Sequence, residues 1–582
     1  MDRMEPVDLN ALADAYAAAP LLNCLLREVA DPVEGDAVGN AEEGGAGYAE
    51  EHGSAYGSGY GEEGGAGFGE EGGAGFGEEG GAGAATDVRV HRLRGSGRLL
   101  RVRGGRRPQR PELRAADGWH PLGHAELAKL ASDELGRFTG VPNDELPIEI
   151  TDSRDAIAAL LAARAATDPP VDPYVLSEQS LVMGHPHHPA PKARGGAPAG
   201  SWLPYAPEAY ARFPLIFLGL REDQIAEEGG PAASAAIDAL ADALDGPRAP
   251  AGYRLLPAHP WQLDLVGDRP AVREAFADGR LLRLGASRRP AWPTASIRTL
   301  YVPDAVADVF VKFSLDVRIT NDVRRLWRHD LLKLRRTDAA VEAGFAALRR
   351  TGSAAAWLPD RGYRTAAFAF EELAVLVRDG LRAHTVPGAT PLLAAALAEG
   401  YSGSPIAATT DPVRWWRAYL RQVVPPVLEL FARHGIVLEA HLQNTLVAVD
   451  AAGLPVQALF RDAEGVKLPA DLPRADGWQR LVYCLVVNNL LEIAGALSGR
   501  HPDSAPLLWP AAREEFLRYG TTCGLPEIAE LLDAATLPGK TNLLLRWTRA
   551  DGADARYLPL PNPLRGREVS HPDLAGPAEP KP

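Results

Sequence analysis

Glu439-Ala-His-Leu-Gln-Asn-Thr-Leu-Val447, followed by Arg461-Asp-Ala-Glu-Gly465, is the part of this chain that packing alone does not explain. An acid, an imidazole and two amides precede a short apolar run, 445–449, that reads as a strand, and a second pair of acids follows it. Gln443 and Asn444 each offer donors and acceptors, His441 can donate or shuttle a proton, and Asp462 and Glu464 are the hard oxygen ligands that Mg2+ prefers. The cluster points to a nucleotide-phosphate site. The plainer alternative is a polar loop capping a buried helix and strand, which fits less well because buried amides and carboxylates need partners. The preceding stretch, 413–434, has the apolar period of a helix, with Pro425-Pro426 expected to kink it.

At 582 residues the chain is too long for one simple core, and roughly two to four domains or subdomains are expected. Hydrophobic residues at 46% with only 7% aromatics fit a globular, helix-rich protein with some sheet. Cys24, Cys484 and Cys523 share no Cys-x-x-Cys spacing, so neither a disulfide framework nor a zinc ribbon is expected, and a reducing cytoplasm is. The N-terminus lacks a basic segment followed by an apolar stretch. No run approaches the ~20 apolar residues of a membrane span, so no membrane partner is expected. Eleven acids and no Lys or Arg fall between Asp36 and Glu79; without them the net charge of −15 becomes −4. A body so nearly balanced lacks the basic footprint of a nucleic-acid binder.

Leu9, Leu12, Tyr16, Leu22, Leu25 and Leu26 place a helix over 7–29, broken or kinked near Pro20. From Gly35 to Ala85 the chain nearly repeats Gly-Glu-Glu-Gly-Gly-Ala-Gly-Phe. Such sequence buries too little apolar surface to offset its ordering entropy, and a disordered insertion is expected. Residues 88–102 alternate around Gly95-Ser-Gly97 as a β-hairpin, the basic run 103–110 reads as a solvated loop, and helices are expected over 124–135 and 153–166. Gly184-His-Pro-His-His-Pro-Ala-Pro-Lys-Ala-Arg-Gly195 is a second polar cluster. Its prolines stiffen the backbone, so the histidines, Lys192 and Arg194 are expected to project from a rigid loop. Three histidines this close suggest zinc, but with no helical i, i+4 pair and no nearby cysteine, a donor-rich loop for an anionic substrate fits better.

Pro257-Ala-His-Pro-Trp-Gln262 repeats the His-Pro pairing on a turn, with Trp261 read as core and His259 as either structural or catalytic. Two strand-like stretches follow, 293–302 and 308–320. In the second, Val309, Val311, Phe313, Leu315, Val317 and Ile319 face one way, while Lys312, Ser314, Asp316, Arg318 and Thr320 face the other, with Arg298 on the first strand able to join them. The outward face of an ordinary antiparallel sheet would alternate in the same way. Thr320-Asn-Asp-Val-Arg324 is expected to hand the strand over to a helix whose first turn carries Arg324. Residues 344–382 and 390–399 read as helical, and 478–497 as a helix interrupted by Asn488-Asn489. Gly539-Lys-Thr invites a phosphate-loop reading, but Ala534 stands where that loop's first glycine belongs.

In this order the segments resemble the siderophore synthetases that are independent of nonribosomal peptide synthetases, the NIS or aerobactin-synthetase-like (IucA/IucC) family. The resemblance rests on 184–194, 257–262, Ser296-Ile-Arg-Thr299, Lys312 with Thr320 and Arg324, 439–444 and 461–465. Leu21-Leu-Asn-Cys-Leu-Leu-Arg-Glu28 resembles the family's first helix. The chain departs from the family pattern in its Gly/Glu insertion and in Ala193 with Gly195-Gly196, where the pattern has Lys-Ser-Arg and then Gly before an aromatic. The second departure bears on the acyl-substrate side.

The resemblance implies an α+β cupped hand of antiparallel sheets and many helices. Its parts would be a thumb over 1–200 with the insertion at 35–87, fingers over 201–405, a kinase-like palm over 406–565 and a flexible tail over 566–582, commonly in a homodimer. It implies ATP and Mg2+, with a carboxylate of a polycarboxylic acid, citrate or a derivative, attacking the α-phosphate to give an acyl-adenylate that an amine, hydroxylamine or alcohol then takes. It places Ser296, Arg298, Thr299, Lys312 and Arg324 on the triphosphate, Gln443 and Asn444 on nucleotide or metal, and Asp462 and Glu464 on Mg2+. His185, Lys192, Thr320, His441 and Lys540 would bind the acyl carboxylates. Catalysis would rest on His441, His185, Arg298 and Lys312, either histidine serving as base. Two other readings stand beside it. A kinase-like phosphotransferase would use Lys312, 441–444 and Asp462 but lacks His-Arg-Asp and Asp-Phe-Gly; a non-catalytic polycarboxylate binder would need neither Lys312 nor Asp462.

Overall fold

The computed structural model describes residues 8–33, 87–303, 305–320, 322–550 and 557–566. The expected disordered insertion and flexible tail lie outside these residues, apart from Asp87 and Gly566 at their edges. Helix Leu9–Glu28 starts on Asp8, whose carboxylate accepts from the Asn10 and Ala11 amides, and continues through Pro20. The break expected there is absent: Leu21, Leu22 and Leu25 are buried, and packing on the helices Glu145–Ala165 and His124–Thr139 offsets the hydrogen bond that proline cannot make. A five-stranded antiparallel meander in chain order, Ala30–Pro32, Val88–Leu93, Leu99–Arg103, Gln109–Ala115 and Gly118–Pro121, completes this part. The basic run after its first hairpin is not a solvated loop. Arg106 donates to Glu492 Oε2 at 3.2 Å and to the Ala398 carbonyl at 2.8 Å, and Arg107 to Ala398 at 3.3 Å, pinning the sheet to the C-terminal half.

Two sheets frame the site. The first runs Trp292–Pro293, Thr299–Val302, Val309–Phe313, Val375–Asp379, Asp360–Ala366 and Ile225–Glu228, antiparallel throughout. Val309, Val311 and Phe313 pack into a core shared with the three-stranded sheet of Ile216–Arg221, Tyr253–Ala258 and Leu281–Ala286, while Phe310 on the opposite face meets the second large sheet. The strand is therefore buried on both faces and ends at Phe313, so the alternation expected to reach Thr320 describes a strand only in its first half. The second sheet runs Ala356–Leu358, Pro455–Arg461, Thr445–Val449 and Thr390–Leu393, with the first pair parallel. Leu446, Ala448 and Leu459 face the first sheet; Val447, Ala458 and Phe460 face the largest core, built on Trp415, Trp416 and Tyr419 of helix Pro412–His434.

Three helical expectations fail. Residues 351–382 hold the strands Ala356–Leu358, Asp360–Ala366 and Val375–Asp379, and only Arg328–Arg350 is helical there. Strand Thr390–Leu393 precedes the short helix Ala394–Glu399. Thr320 to Arg324 does not open a helix: Arg318–Ile319 and Asp322–Val323 pair as a small ribbon, and the helix waits until Arg328. In the first two cases pairing with distant strands overrides a local apolar pattern that fits either period, and in the third a local ribbon takes the place of the helix start. The membrane expectation also needs amending, because Leu9–Glu28 and Arg474–Arg500 are long and apolar enough to span by length and composition. Packing accounts for much of that apolarity: 78% of the most apolar stretch of Arg474–Arg500 and 50% of that of Leu9–Glu28 are buried inside the protein.

Candidate nucleotide and acyl site

Thr299 and Lys312 are register partners, and this pairing carries the Lys312 ammonium to the end of strand Pro455–Arg461. There it lies 2.8 Å from both Asp462 Oδ1 and Glu464 Oε2. Arg298 reaches the same Glu464 oxygen at 3.2 Å, and Arg378 reaches Asp462 at 3.3 Å while pairing with buried Asp360 at 2.6 Å. Burial opposes ionisation of Asp462, but Lys312, Arg378 and Arg298 overcome it and hold the carboxyl far below its ordinary range. Glu464 follows the same logic, with Lys312 and Arg298 outweighing burial. Arg324 donates to the Ile319 carbonyl at 2.8 Å and the Thr320 hydroxyl at 2.7 Å, and makes no ion pair among the described residues.

Backbone strain concentrates here. Seven described residues other than glycine have positive φ, and three of them line this site: Ile297 at +59°, Thr320 at +59° and Asp462 at +80°. Each costs about 1–3 kcal/mol, and so persists only where its surroundings hold it. The sequence expectation that Ser296 and Arg298 belong to a strand is corrected accordingly: they sit on a tight turn before strand Thr299–Val302, with the Arg298 amide donating to the Ser296 carbonyl.

The loop between helix Pro412–His434 and strand Thr445–Val449 carries the remaining polar groups. Glu439 accepts from Arg480 at 2.6 Å and from Asn444 Nδ2 at 3.3 Å, and its Oε2 lies 3.6 Å from His441 Nε2. Burial raises its pKa, but His441 and Arg480 prevail and bring it down to about 2. Gly465 packs so closely that a Cβ would lie 2.0 Å from Glu439 Oε2, so any side chain there would displace the Glu439 carboxylate. The interruption expected at Asn488-Asn489 is a π-helical stretch, Tyr483–Leu490, from which buried Asn489 donates to the Ala440 carbonyl at 3.0 Å and accepts from Tyr419 at 2.5 Å. It holds the loop from behind.

Several residues of this site carried too little local signal to be given a role. Arg461 pairs with buried Glu178 at 2.6 Å and donates to the Gln443 carbonyl at 2.8 Å, while Glu178 Oε2 accepts from the Ala295 amide at 3.0 Å. That pair, 283 residues apart in sequence, ties the Ser296–Thr299 turn to the Glu439–Asn444 loop. Arg378, Asp360 and Arg480 are likewise visible only in three dimensions.

On the loop 184–194, His185 Nδ1 accepts from the His187 amide at 3.1 Å, which leaves the proton of a neutral ring on Nε2. Burial, then His187, His188 and His441, push its pKa well below the ordinary value, so it stays neutral with His441 near enough to act on it. Lys192 and Arg194 do not project from the loop. Both are buried against Glu208, Lys192 as a close ion pair that also reaches the Leu181 carbonyl at 2.5 Å and Arg194 at 3.4 Å, because two cations this deep need a counter-charge. The Lys540 ammonium stands 5.3 Å over the Tyr483 ring. Arg27, on the first helix, lies 3.2 Å from His187 Nε2, and its charge is felt at Tyr483; it makes no ion pair among the described residues. His259, open between two roles on sequence, is a core residue: fully buried, it caps helix Pro260–Val266.

Residues 173–399 match the family described as IucA / IucC family, and residues 413–555 the one described as ferric iron reductase FhuF-like transporter. The rhizobactin siderophore biosynthesis protein RhbC of Rhizobium meliloti is 30% identical over 448 residues, 67% of this chain and 75% of that protein. An L-2,3-diaminopropanoate–citrate ligase of Staphylococcus aureus is 29% identical over 450 residues, 69% of this chain and 76% of that one. In fold, the chain is similar to the ATP-bound aerobactin synthetase IucA of Klebsiella pneumoniae, with a TM-score of 0.73 at 21% identity over 95% of this chain and 100% of the other. The biosynthesis protein AsbB of Bacillus anthracis aligns at 0.70 and 17% identity, over 96% of each chain. With two thirds of its length shared at this identity with a siderophore biosynthesis protein, the chain belongs to the IucA/IucC family of siderophore synthetases.

Proposed function

We propose that this protein is an ATP-dependent ligase that activates a carboxylate of citrate or a citrate-like acid as its adenylate and passes the acyl group to an amine, hydroxylamine or alcohol, releasing AMP and pyrophosphate. The observation that carries this reading is a charge arrangement: Arg298, Lys312 and Arg324 converge with Asp462 and Glu464 at one end of the site, and His185, Lys540 and Arg27 lie at the other. The first group matches a triphosphate with its metal, the second a polycarboxylate. A relative that is a citrate ligase supports the choice of acid. The protein would act on small molecules in the cytoplasm, as a homodimer.

The residues present fit both ATP and Mg2+. Phosphate oxygens would draw Arg298, Lys312 and Arg324 onto themselves, and the two carboxylates that Lys312 now bridges are already ionised. Asp462 and Glu464 would hold Mg2+, one or two carboxylates plus phosphate oxygens being a set that it takes, and the ion would neutralise phosphate charge. A carboxylate oxygen of the acid attacks the α-phosphorus and the bond to pyrophosphate breaks. Lys312, buried and fixed by the sheet, and Arg298, buried and held by the Arg324 and Arg325 carbonyls, offset the charge that builds there, each donor being worth about 3–4 kcal/mol. The Nε2–H of His185, the Thr320 hydroxyl and Lys540 hold the carboxylates that do not react, with Ser296 and Thr299 on the triphosphate and Gln443 and Asn444 beside it. Lys192, spent on Glu208, leaves this set and instead holds the loop. The amine then attacks the adenylate carbonyl, AMP leaves, and His441 takes the proton, its imidazolium stabilised by Glu439. Acid-dependent exchange of pyrophosphate into ATP, run with citrate, α-ketoglutarate and succinyl acids, tests the proposal; formation of ADP in place of AMP would overturn it.

A further inference from the structure

Pro257-Ala-His-Pro-Trp-Gln262 takes no part in the chemistry above, yet it is buried throughout except at Pro260. His259 begins helix Pro260–Val266, its Nδ1 accepting from the Trp261 amide at 3.2 Å, and its ring is boxed by Tyr205, Phe213 and Phe313. Burial pushes this imidazole down to about 3, partly offset by the Ile297 backbone beside it. Trp261, 2% exposed, shares a core cluster with Ile297, Leu315 and Val317. Gln262 accepts from the Asp316 amide at 2.8 Å and donates to the Glu372 carbonyl at 2.9 Å. The Asp316 carboxylate receives Arg325 at 2.7 and 2.6 Å, and Arg269 as well.

These contacts land on two of the three strained elements of the phosphate site. Ile297 is β-branched with φ near +59°, a costly conformation for such a residue, and its buried side chain belongs to the same core cluster as Trp261. The second element is the loop 315–325, which carries strained Thr320 at its tip. Its base is closed by the Leu315 amide on the Arg324 carbonyl at 2.8 Å and the Arg324 amide on the Val317 carbonyl at 3.0 Å. Arg298 joins the two elements by donating to the Arg324 and Arg325 carbonyls at 2.9 and 2.8 Å.

We infer that the His259–Gln262 segment is the platform that positions both phosphate elements, Trp261 setting the Ser296–Thr299 turn and Gln262 setting the 315–325 loop. The inference rests on the nucleotide reading above. His259, Trp261 and Gln262 are positioning residues, since they touch no reacting group.

The test uses the full chain, with a fluorescent ATP analogue and Mg2+ for binding and steady-state turnover for KM. Trp261→Phe keeps the site apolar but loosens Ile297, and should raise the KM for ATP by roughly tenfold or more while leaving that for the acid unchanged, misplacements of about 1 Å being that costly. Gln262→Leu should raise both KM values, because Arg324 and Thr320 ride on one loop. In an Ile297→Gly background, where positive φ needs no support, Trp261→Phe should have little further effect on the KM for ATP. Circular dichroism checks folding, and Trp261→Phe decides the matter if Gln262→Leu does not fold. Wild-type KM values and analogue affinity in folded variants, or full additivity of Trp261→Phe with Ile297→Gly, would overturn the inference. Failure of the wild-type protein to bind the analogue would instead overturn the nucleotide reading.

Discussion

Lys312 sits between two carboxylates at 2.8 Å each, and those carboxylates stay ionised despite burial because of it. Replacing it with Ala leaves Asp462 and Glu464 adjacent with less counter-charge and removes one donor from the triphosphate. Pyrophosphate release should fall by about 10²- to 10³-fold in a coupled assay, and the melting temperature should fall as well because the two carboxylates lose their bridging cation; turnover within a few-fold of wild type in folded protein would remove Lys312 from the site. The two histidines separate by step. His441→Gln should preserve acid-dependent pyrophosphate exchange but slow amide formation, whereas His185→Gln should raise the KM for the acid with exchange intact at saturation. The opposite pattern would exchange their roles. Most of these residues were legible, because a Lys or His amid polar neighbours is conspicuous on an apolar background. The burial of Lys192 was not legible, because sequence spacing does not reveal Glu208, 16 residues on, folding back as its counter-ion.

At the scale of elements, the first helix does more than pack. Its Arg27 faces His187 with no carboxylate partner among the described residues, and Glu28 accepts from the Leu543 and Leu544 amides at 2.9 and 2.8 Å, docking the segment that follows Lys540. Arg27→Met is expected to raise the KM for the acid about tenfold and leave that for ATP alone; equal KM values would show that Arg27 is only structural. Burial raises the Glu28 pKa from 4.5 to about 7, against the Leu543, Leu544 and Asn542 amides and the Arg27 charge that lower it. Because the folded-state value lies above the unfolded one, folding takes up a proton in between, so stability falls as pH rises through that window, by ~3 kcal/mol in all. Glu28→Gln does not titrate. Denaturant unfolding at pH 5 and pH 8 should therefore show the variant gaining on wild type at the higher pH; a difference independent of pH would mean that Glu28 is ionised throughout. Helix 9–28 itself was legible from its apolar period, but the strands at 356–379 were not, since short apolar runs fit either period until their partners are known.

For the molecule as a whole, the segment outside the described residues enters and leaves at neighbouring points. Ala30–Pro32 pairs with Val88–Leu93, Pro32 opposite His91, and the Val33 amide reaches the Val90 carbonyl at 2.9 Å. Replacing residues 36–84 with a short Gly/Ser turn therefore closes a hairpin that already exists, and a shorter loop costs less closure entropy. Turnover should stay within about twofold of wild type and the melting temperature should not fall. A loss of activity in a folded protein would give the insertion a part in function.

Read alone, the sequence determined the chemistry: which acids, amides, histidines and cations exist, which stretches are apolar enough for a core, and the order of motifs that marks the family. Those are properties of residue type and spacing, which a sequence states directly. The tertiary structure decided where the charges go. Lys192 pairs with Glu208, Arg106 with Glu492, Arg461 with Glu178, and Ile297, Thr320 and Asp462 are held at positive φ. Burial makes an unpaired charge or a strained backbone too costly to stand alone, so each is settled by partners brought from distant sequence, and only the fold supplies those.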